Sequence, residues 1–109
     1  LFFQDMRVPA FNLLGQEGRG FQQLMRELAQ ERLVQGIRAV ASAEAAIEWT
    51  LDYAAQRRMF GQTLADFQNT RFKLAEMRAE TQAQRVFLDR CIELHLARQL
   101  SATDAAMLK

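Results

Sequence analysis

Apolar residues recur along most of this chain at the three-to-four-residue spacing of a single helix face. Phe21, Leu24, Met25 and Leu28 mark a first helical stretch. Leu33, Ile37, Val40, Ile47, Leu51 and Ala54 share the stripe of a second, longer one. It is expected from about Gln30 to about Arg58, roughly 40 Å at a rise of 1.5 Å per residue. Gly36 lies inside it at a cost of ~1 kcal/mol relative to alanine, which points to close packing there. Ala39, Ala41, Ala43, Ala45 and Ala46 make the middle narrow, so that a neighbouring helix can approach.

The pattern breaks at Met59-Phe60-Gly61-Gln62-Thr63. Gly61 is expected to terminate the helix, and Thr63 or Asp66 to cap the next. That third helix places Phe67, Leu74, Met77, Leu88 and Cys91 on one stripe, with Phe87 and Leu94 adjoining, and is expected to end near Arg98-Gln99-Leu100. Ser101, with Asp104 three residues on, resembles the cap of a further helix. Residues 1–19 differ in kind. Pro9, the sole proline, biases Met6-Arg7-Val8 toward extended backbone, and Leu13 to Gly18 reads as a turn. The expected fold is all-α: an antiparallel up-and-down helical bundle with a short extended N-terminal leader.

Composition narrows the function. The chain has 109 residues, enough for one domain. With 14 basic and 13 acidic residues the net charge is +1, which gives no case for a nucleic-acid binder. A single cysteine, Cys91, rules out an internal disulfide. No stretch approaches the ~20 consecutive apolar residues of a membrane span. The chain starts without Met and stops at Ala105-Ala106-Met107-Leu108-Lys109, still reading as helix, so a piece cut from something longer is expected.

Catalytic signatures are sparse. His95 is the only histidine, so no metal site is expected, and Cys91 among apolar neighbours reads as a structural thiol. Gly15-x-x-Gly18-x-Gly20 precedes a helix as phosphate loops do, yet it follows no buried strand and lacks the accompanying lysine. Arg57-Arg58-Met59-Phe60-Gly61 admits two readings. Cations at a helix C-terminus are favourable by ~0.3–1 kcal/mol whatever else they do. Alternatively, guanidinium and ring together suit an anionic, planar ligand. Glu31-Arg32 is an ordinary solvated pair or a positioned general base.

Taken together, these residues resemble a known family. The series Val8-Pro9…Asn12-Leu13-Leu14-Gly15…Glu17-Gly18-Arg19-Gly20-Phe21…Met25…Leu28…Glu31-Arg32 is similar to the acyl-CoA dehydrogenase segment joining the middle β-domain to the C-terminal helices. Tyr53-Ala54…Gln56-Arg57-Arg58-Met59-Phe60-Gly61…Leu64…Phe67-Gln68…Lys73-Leu74-Ala75-Glu76-Met77 resembles that family's flavin-contacting helix hairpin. The likeness covers essentially the whole chain. It implies the end of a β-domain and linker over 1–19 and a truncated C-terminal helical domain over 20–109.

By that resemblance, Arg57 would meet the FAD pyrophosphate, usually on a neighbouring subunit's cofactor. Phe60 would lie near its adenosine portion, and Gln68 would contact the same FAD. Most of the family draws its base from a glutamate in a Tyr-Glu-Gly-Thr-like segment, which this sequence lacks. The isovaleryl and long-chain branches place it early in the long helix, just before an arginine, and Leu28-Ala29-Gln30-Glu31-Arg32-Leu33 resembles that arrangement. Glu31 would then take the α-proton of an acyl-CoA thioester, and Arg32 would help organise the substrate pocket.

The implied function is FAD-dependent α,β-dehydrogenation of acyl-CoA, with electron-transferring flavoprotein as acceptor and a homo-oligomeric assembly. An acyl-CoA oxidase and a non-catalytic scaffold of the same fold are the alternatives. The implied location is the cytoplasm in a bacterium and the mitochondrial matrix in a eukaryote. The segment alone is expected to be inactive.

Overall fold

A computed structural model describes residues 1–109. Nothing between residues 21 and 56 stops a helix, since that stretch holds no proline and only one glycine. The two helical stretches expected there are accordingly one helix, α1 (Gly20–Gln56), 37 residues long, or about 56 Å. Before it, the leader has no strand; a single 3-10 turn, Ala10–Asn12, follows Pro9. After α1 come two short strands, β1 (Arg58–Met59) and β2 (Gln62–Thr63), a 3-10 turn (Leu64–Asp66), α2 (Gln68–Leu96) and α3 (Ala102–Met107). No helix is long and apolar enough to cross a membrane.

α1 and α2 pack antiparallel, giving the expected helical architecture. The contact is a narrow seam. On α1 the buried residues Leu33, Val40, Ile47 and Ala54 lie seven apart, the 3.5-residue spacing of helices that stay in contact along their length. Ile37 and Leu51, expected on this stripe, are 40% and 41% exposed. They stand four residues beyond Leu33 and Ile47, on the flank of the seam. A helix with one long partner buries a line of side chains, not a broad face. α2 answers with Leu74, Leu88 and Cys91, while Met77 stays open.

Two ion pairs fix the register between the helices. Arg85 donates through Nε and Nη2 to the two carboxylate oxygens of Glu44 at 3.0 and 2.8 Å, a half-buried bidentate pair. Arg78 and Glu48 meet at 3.4 Å nearer the bend. Between them the alanine-rich middle of α1 leaves a shallow groove floored by Ala43, Ala46 and Ile47 and walled by Met77, Glu80 and Thr81.

α3 is capped as expected. Ser101 Oγ accepts from the Asp104 amide at 3.0 Å and donates to the Asp104 carboxylate at 2.6 Å. It brings Leu108 onto Gly36 and completes a core of Leu33, Val40, Leu88, Cys91 and Leu108. Burial, and secondarily the Asp104 carboxylate, pushes the Cys91 thiol above its ordinary pKa. This is a protected, unreactive thiol. The whole molecule is a slab of 73 × 35 × 17 Å.

Candidate functional site

The connection between α1 and α2 is short, ordered by hydrogen bonds, and together with the first residue of α2 carries three of the five expected site residues. α1 ends at Gln56, five residues before Gly61, so Gly61 does not terminate it. Arg57 leaves the helix in extended conformation, its amide donating to the Tyr53 carbonyl at 2.9 Å. Its own carbonyl accepts from the Leu64 amide at 2.7 Å. The Arg57 backbone is thus held from both sides, while its guanidinium joins none of the salt bridges.

Arg58 pairs with Thr63 and Met59 with Gln62 in a miniature antiparallel hairpin. Its two-residue loop is Phe60-Gly61, with φ of +51° and +84°. Positive φ at both central positions is the mark of a type I′ turn, whose favoured first residue is Asn, Asp or Gly. A phenylalanine held there costs ~1–2 kcal/mol. Packing does not offset the cost, because Phe60 is 91% exposed. Backbone strain at an exposed aromatic is the kind of outlier that points to a role outside the fold itself.

Two further side chains, Arg58 and Asp66, set the turn. Arg58 Nη2 donates to the Gly61 carbonyl at 3.1 Å. Asp66 accepts from the Thr63 hydroxyl at 2.6 Å and the Thr63 amide at 2.8 Å. Those hydrogen bonds, helped by the Arg58 and Arg71 charges, hold the Asp66 carboxyl below its ordinary pKa. Gln68 follows as the first residue of α2, exposed. Met59, Phe60, Leu64, Phe67, Asn69 and Thr70 line a shallow hollow beside it.

The donor set at the bend fits a dinucleotide cofactor. An unpaired guanidinium on a pinned backbone suits a diphosphate, an exposed ring suits a flat base, and the Gln68 amide adds one adaptable donor and acceptor. The structure therefore brings Arg57, Phe60 and Gln68 to one end of the molecule.

Glu31 and Arg32 are elsewhere. Twenty-six residues of continuous helix separate Glu31 from Arg57's position, about 39 Å. Glu31 is exposed, in a shallow depression with Glu27, Gln30, Val34 and Gln35. Arg32 is half-buried beside Leu33. One chain does not assemble Glu31 and the bend into a single pocket.

Sequence reasoning missed the hairpin and the Arg58–Gly61 bond. It named Thr63 and Asp66 as alternative caps, whereas they act on each other. The Thr-x-x-Asp spacing was the available signal.

Residues 18–109 match the family described as acyl-CoA dehydrogenase, C-terminal domain. The chain is 43% identical over its full length to the long-chain specific acyl-CoA dehydrogenase of Rattus norvegicus mitochondria, of which it covers 25%. Among solved structures it is similar to an acyl-CoA dehydrogenase from Geobacillus kaustophilus, with a TM-score of 0.93 and 48% identity over 99% of this chain and 28% of that one. Butyryl-CoA dehydrogenase from Megasphaera elsdenii gives a TM-score of 0.89 at 37% identity, over 97% of this chain and 28% of that one. The chain thus spans about a quarter of the length of the curated long-chain relatives it matches.

Proposed function

The chain belongs to the acyl-CoA dehydrogenase family, matching its C-terminal domain, and on that premise we propose that it forms part of an FAD-dependent enzyme that introduces an α,β double bond into an acyl-CoA thioester. The observation that carries this reading is the bend, where an unpaired Arg57 and a strained, exposed Phe60 stand together.

Arg57 holds the FAD diphosphate, Phe60 lies against its adenosine portion, and Gln68 hydrogen-bonds the same cofactor. When bound, the flavin supplies the acceptor for the substrate's β-hydrogen, which leaves as hydride. Glu31 does the acid–base part. Its carboxylate takes the α-proton, forming an O–H bond as the C–H bond breaks and the α,β double bond forms. A thioester α-proton is weakly acidic, so the carboxylate must be held within ~3 Å of it and shielded from water. Arg32 stabilises the pocket beside it. Electron-transferring flavoprotein is the proposed final electron acceptor. The location is the matrix in a mitochondrial source and the cytoplasm in a bacterial one.

The separation of about 39 Å along α1 supports a composite site: Glu31 serves one cofactor and Arg57 a neighbouring subunit's. A homo-oligomer is then required for function, not merely tolerated.

Mixing tests this in the full-length enzyme. Subunits carrying Glu31→Gln and subunits carrying Arg57→Ala are each expected to be inactive alone. Dissociated and reassembled together, they regain turnover, because each Arg57→Ala subunit keeps its Glu31 and receives Arg57 from its neighbour. A mixture with verified subunit exchange that stays inactive overturns the composite site. Full activity of Arg57→Ala alone overturns the cofactor assignment.

A further inference from the structure

Arg58 is drawn away from any ligand. Its guanidinium donates back across the turn to the Gly61 carbonyl at 3.1 Å. It therefore closes the loop that keeps Phe60 at φ +51° and Gly61 at φ +84°. At the open end of the same hairpin, Asp66 ties down Thr63 through its amide and hydroxyl, and the Leu64 amide reaches the Arg57 carbonyl. Arg58 and Asp66 are thus fastened within the hairpin, whereas Arg57 and Phe60 project from it without partners.

We infer that Arg58 and Asp66 are positioning residues for the cofactor, forming an internal clasp that presets Phe60 in its left-handed conformation and fixes the Arg57 backbone before any ligand arrives. The inference rests on the reading of the bend as an FAD contact. It assigns the two adjacent arginines opposite jobs: Arg57 faces outward as a ligand, and Arg58 faces inward as a brace. Without the brace, Phe60 relaxes to negative φ, its ring leaves its preset place at the hollow lined by Leu64, Phe67 and Thr70, and binding must first reorder the turn. The cost then falls on affinity, as it does whenever a site loses preorganisation.

Three variants of the full-length holoenzyme separate brace from ligand. Arg58→Ala removes the contact to Gly61. Gly61→Ala leaves every charge in place and meets nothing within 4 Å, but disfavours the positive φ the turn needs. Arg57→Ala removes the outward cation. Flavin dissociation is followed by fluorescence across a salt series, with amide exchange of residues 58–66 measured in the flavin-free protein.

Arg58→Ala and Gly61→Ala should each weaken flavin retention roughly tenfold, with the salt dependence unchanged and exchange at the Leu64 amide accelerated. Arg57→Ala should weaken retention and flatten the salt dependence, since a direct ion contact is lost. If Arg58→Ala flattens the salt dependence as Arg57→Ala does, Arg58 is itself a ligand and the brace is overturned. Wild-type retention in both Arg58→Ala and Gly61→Ala, with Arg57→Ala impaired, overturns it as well. Wild-type retention in Arg57→Ala instead removes the cofactor reading on which the brace rests. Should Arg58→Ala not fold, Gly61→Ala decides alone.

Discussion

Leu108 is seated directly on Gly36, leaving no room for a β-carbon between them. A methyl group at residue 36 would overlap the Leu108 side chain and come within 3.4 Å of its carbonyl oxygen. The glycine in the middle of α1 is the footprint of α3.

Gly36→Ala therefore sets two effects against each other. Helix propensity favours alanine by ~1 kcal/mol, whereas overpacking a closed contact costs ~1–3 kcal/mol. The overlap falls on Cδ2 and Cγ of Leu108, a side chain enclosed with Leu33, Val40, Leu88 and Cys91, so it yields only by repacking that core or shifting α3. The expected result is a net loss of about 1 kcal/mol, read as a lower melting temperature. Faster hydrogen exchange should be confined to residues 101–108. A more stable protein would show that α3 docks elsewhere.

Glu31→Gln preserves shape and removes the proton acceptor. In the full-length enzyme, turnover should fall by roughly 10²–10⁴, while flavin content and substrate binding stay close to wild type. Stopped-flow flavin bleaching by acyl-CoA checks the chemical step directly. Unchanged bleaching would place the base outside this chain.

Phe60→Asn should divide stability from function. Asn suits the first position of a type I′ turn, so the variant should gain ~1 kcal/mol by relieving left-handed strain. Flavin binding should weaken at the same time, because the exposed ring is gone. Melting of the flavin-free protein and flavin titration measure the two halves. A destabilised variant would show that the ring packs within the protein after all.

The hairpin should also respond to acid. Hydrogen bonds from Thr63 hold the Asp66 carboxyl below its ordinary value of 3.8 in the folded state. A depressed pKa stabilises the folded form at pH values above the unfolded one, and that contribution disappears as pH falls through the folded pKa. The clasp is therefore intact at neutral pH and opens only below about pH 3.8. Asp66→Asn should remove this acid limb and loosen residues 58–66 at every pH where the wild-type clasp is closed, as amide exchange would show. Identical acid profiles for wild type and variant would exclude Asp66 as the titrating group.

Much of this was legible in the residues themselves. Leu33, Val40, Ile47 and Ala54 on α1, and Leu74, Leu88 and Cys91 on α2, followed from period alone and form the seam. The break expected near Gln30 does not exist. The apolar positions before it, Phe21, Leu24 and Met25, are exposed, so their spacing reported no contact, and no residue there stops a helix. Ile37 and Leu51 read as core because period does not tell the centre of a stripe from its edge.

The hairpin escaped for a different reason. The usual signal for such a turn is Asn-Gly, and here Phe60 occupies the unfavourable position. Local propensity fails where the chain holds a costly conformation. The individual residues Arg57, Phe60, Gln68 and Glu31 were nameable through family likeness, and the expected helix of roughly 40 Å already set Glu31 apart from Arg57. The hydrogen bonds that pin the bend were not legible, because they close a turn that local propensity disfavours.

A body only 17 Å through at its thinnest is little more than one helix and its side chains. It leaves Trp49, Phe72 and Val86 open to solvent. Truncating such exposed residues should barely alter how this hairpin folds. In the proposed homo-oligomer, changes there should show in the mass of the particle and in its tolerance to dilution. A melting curve of the segment would miss them.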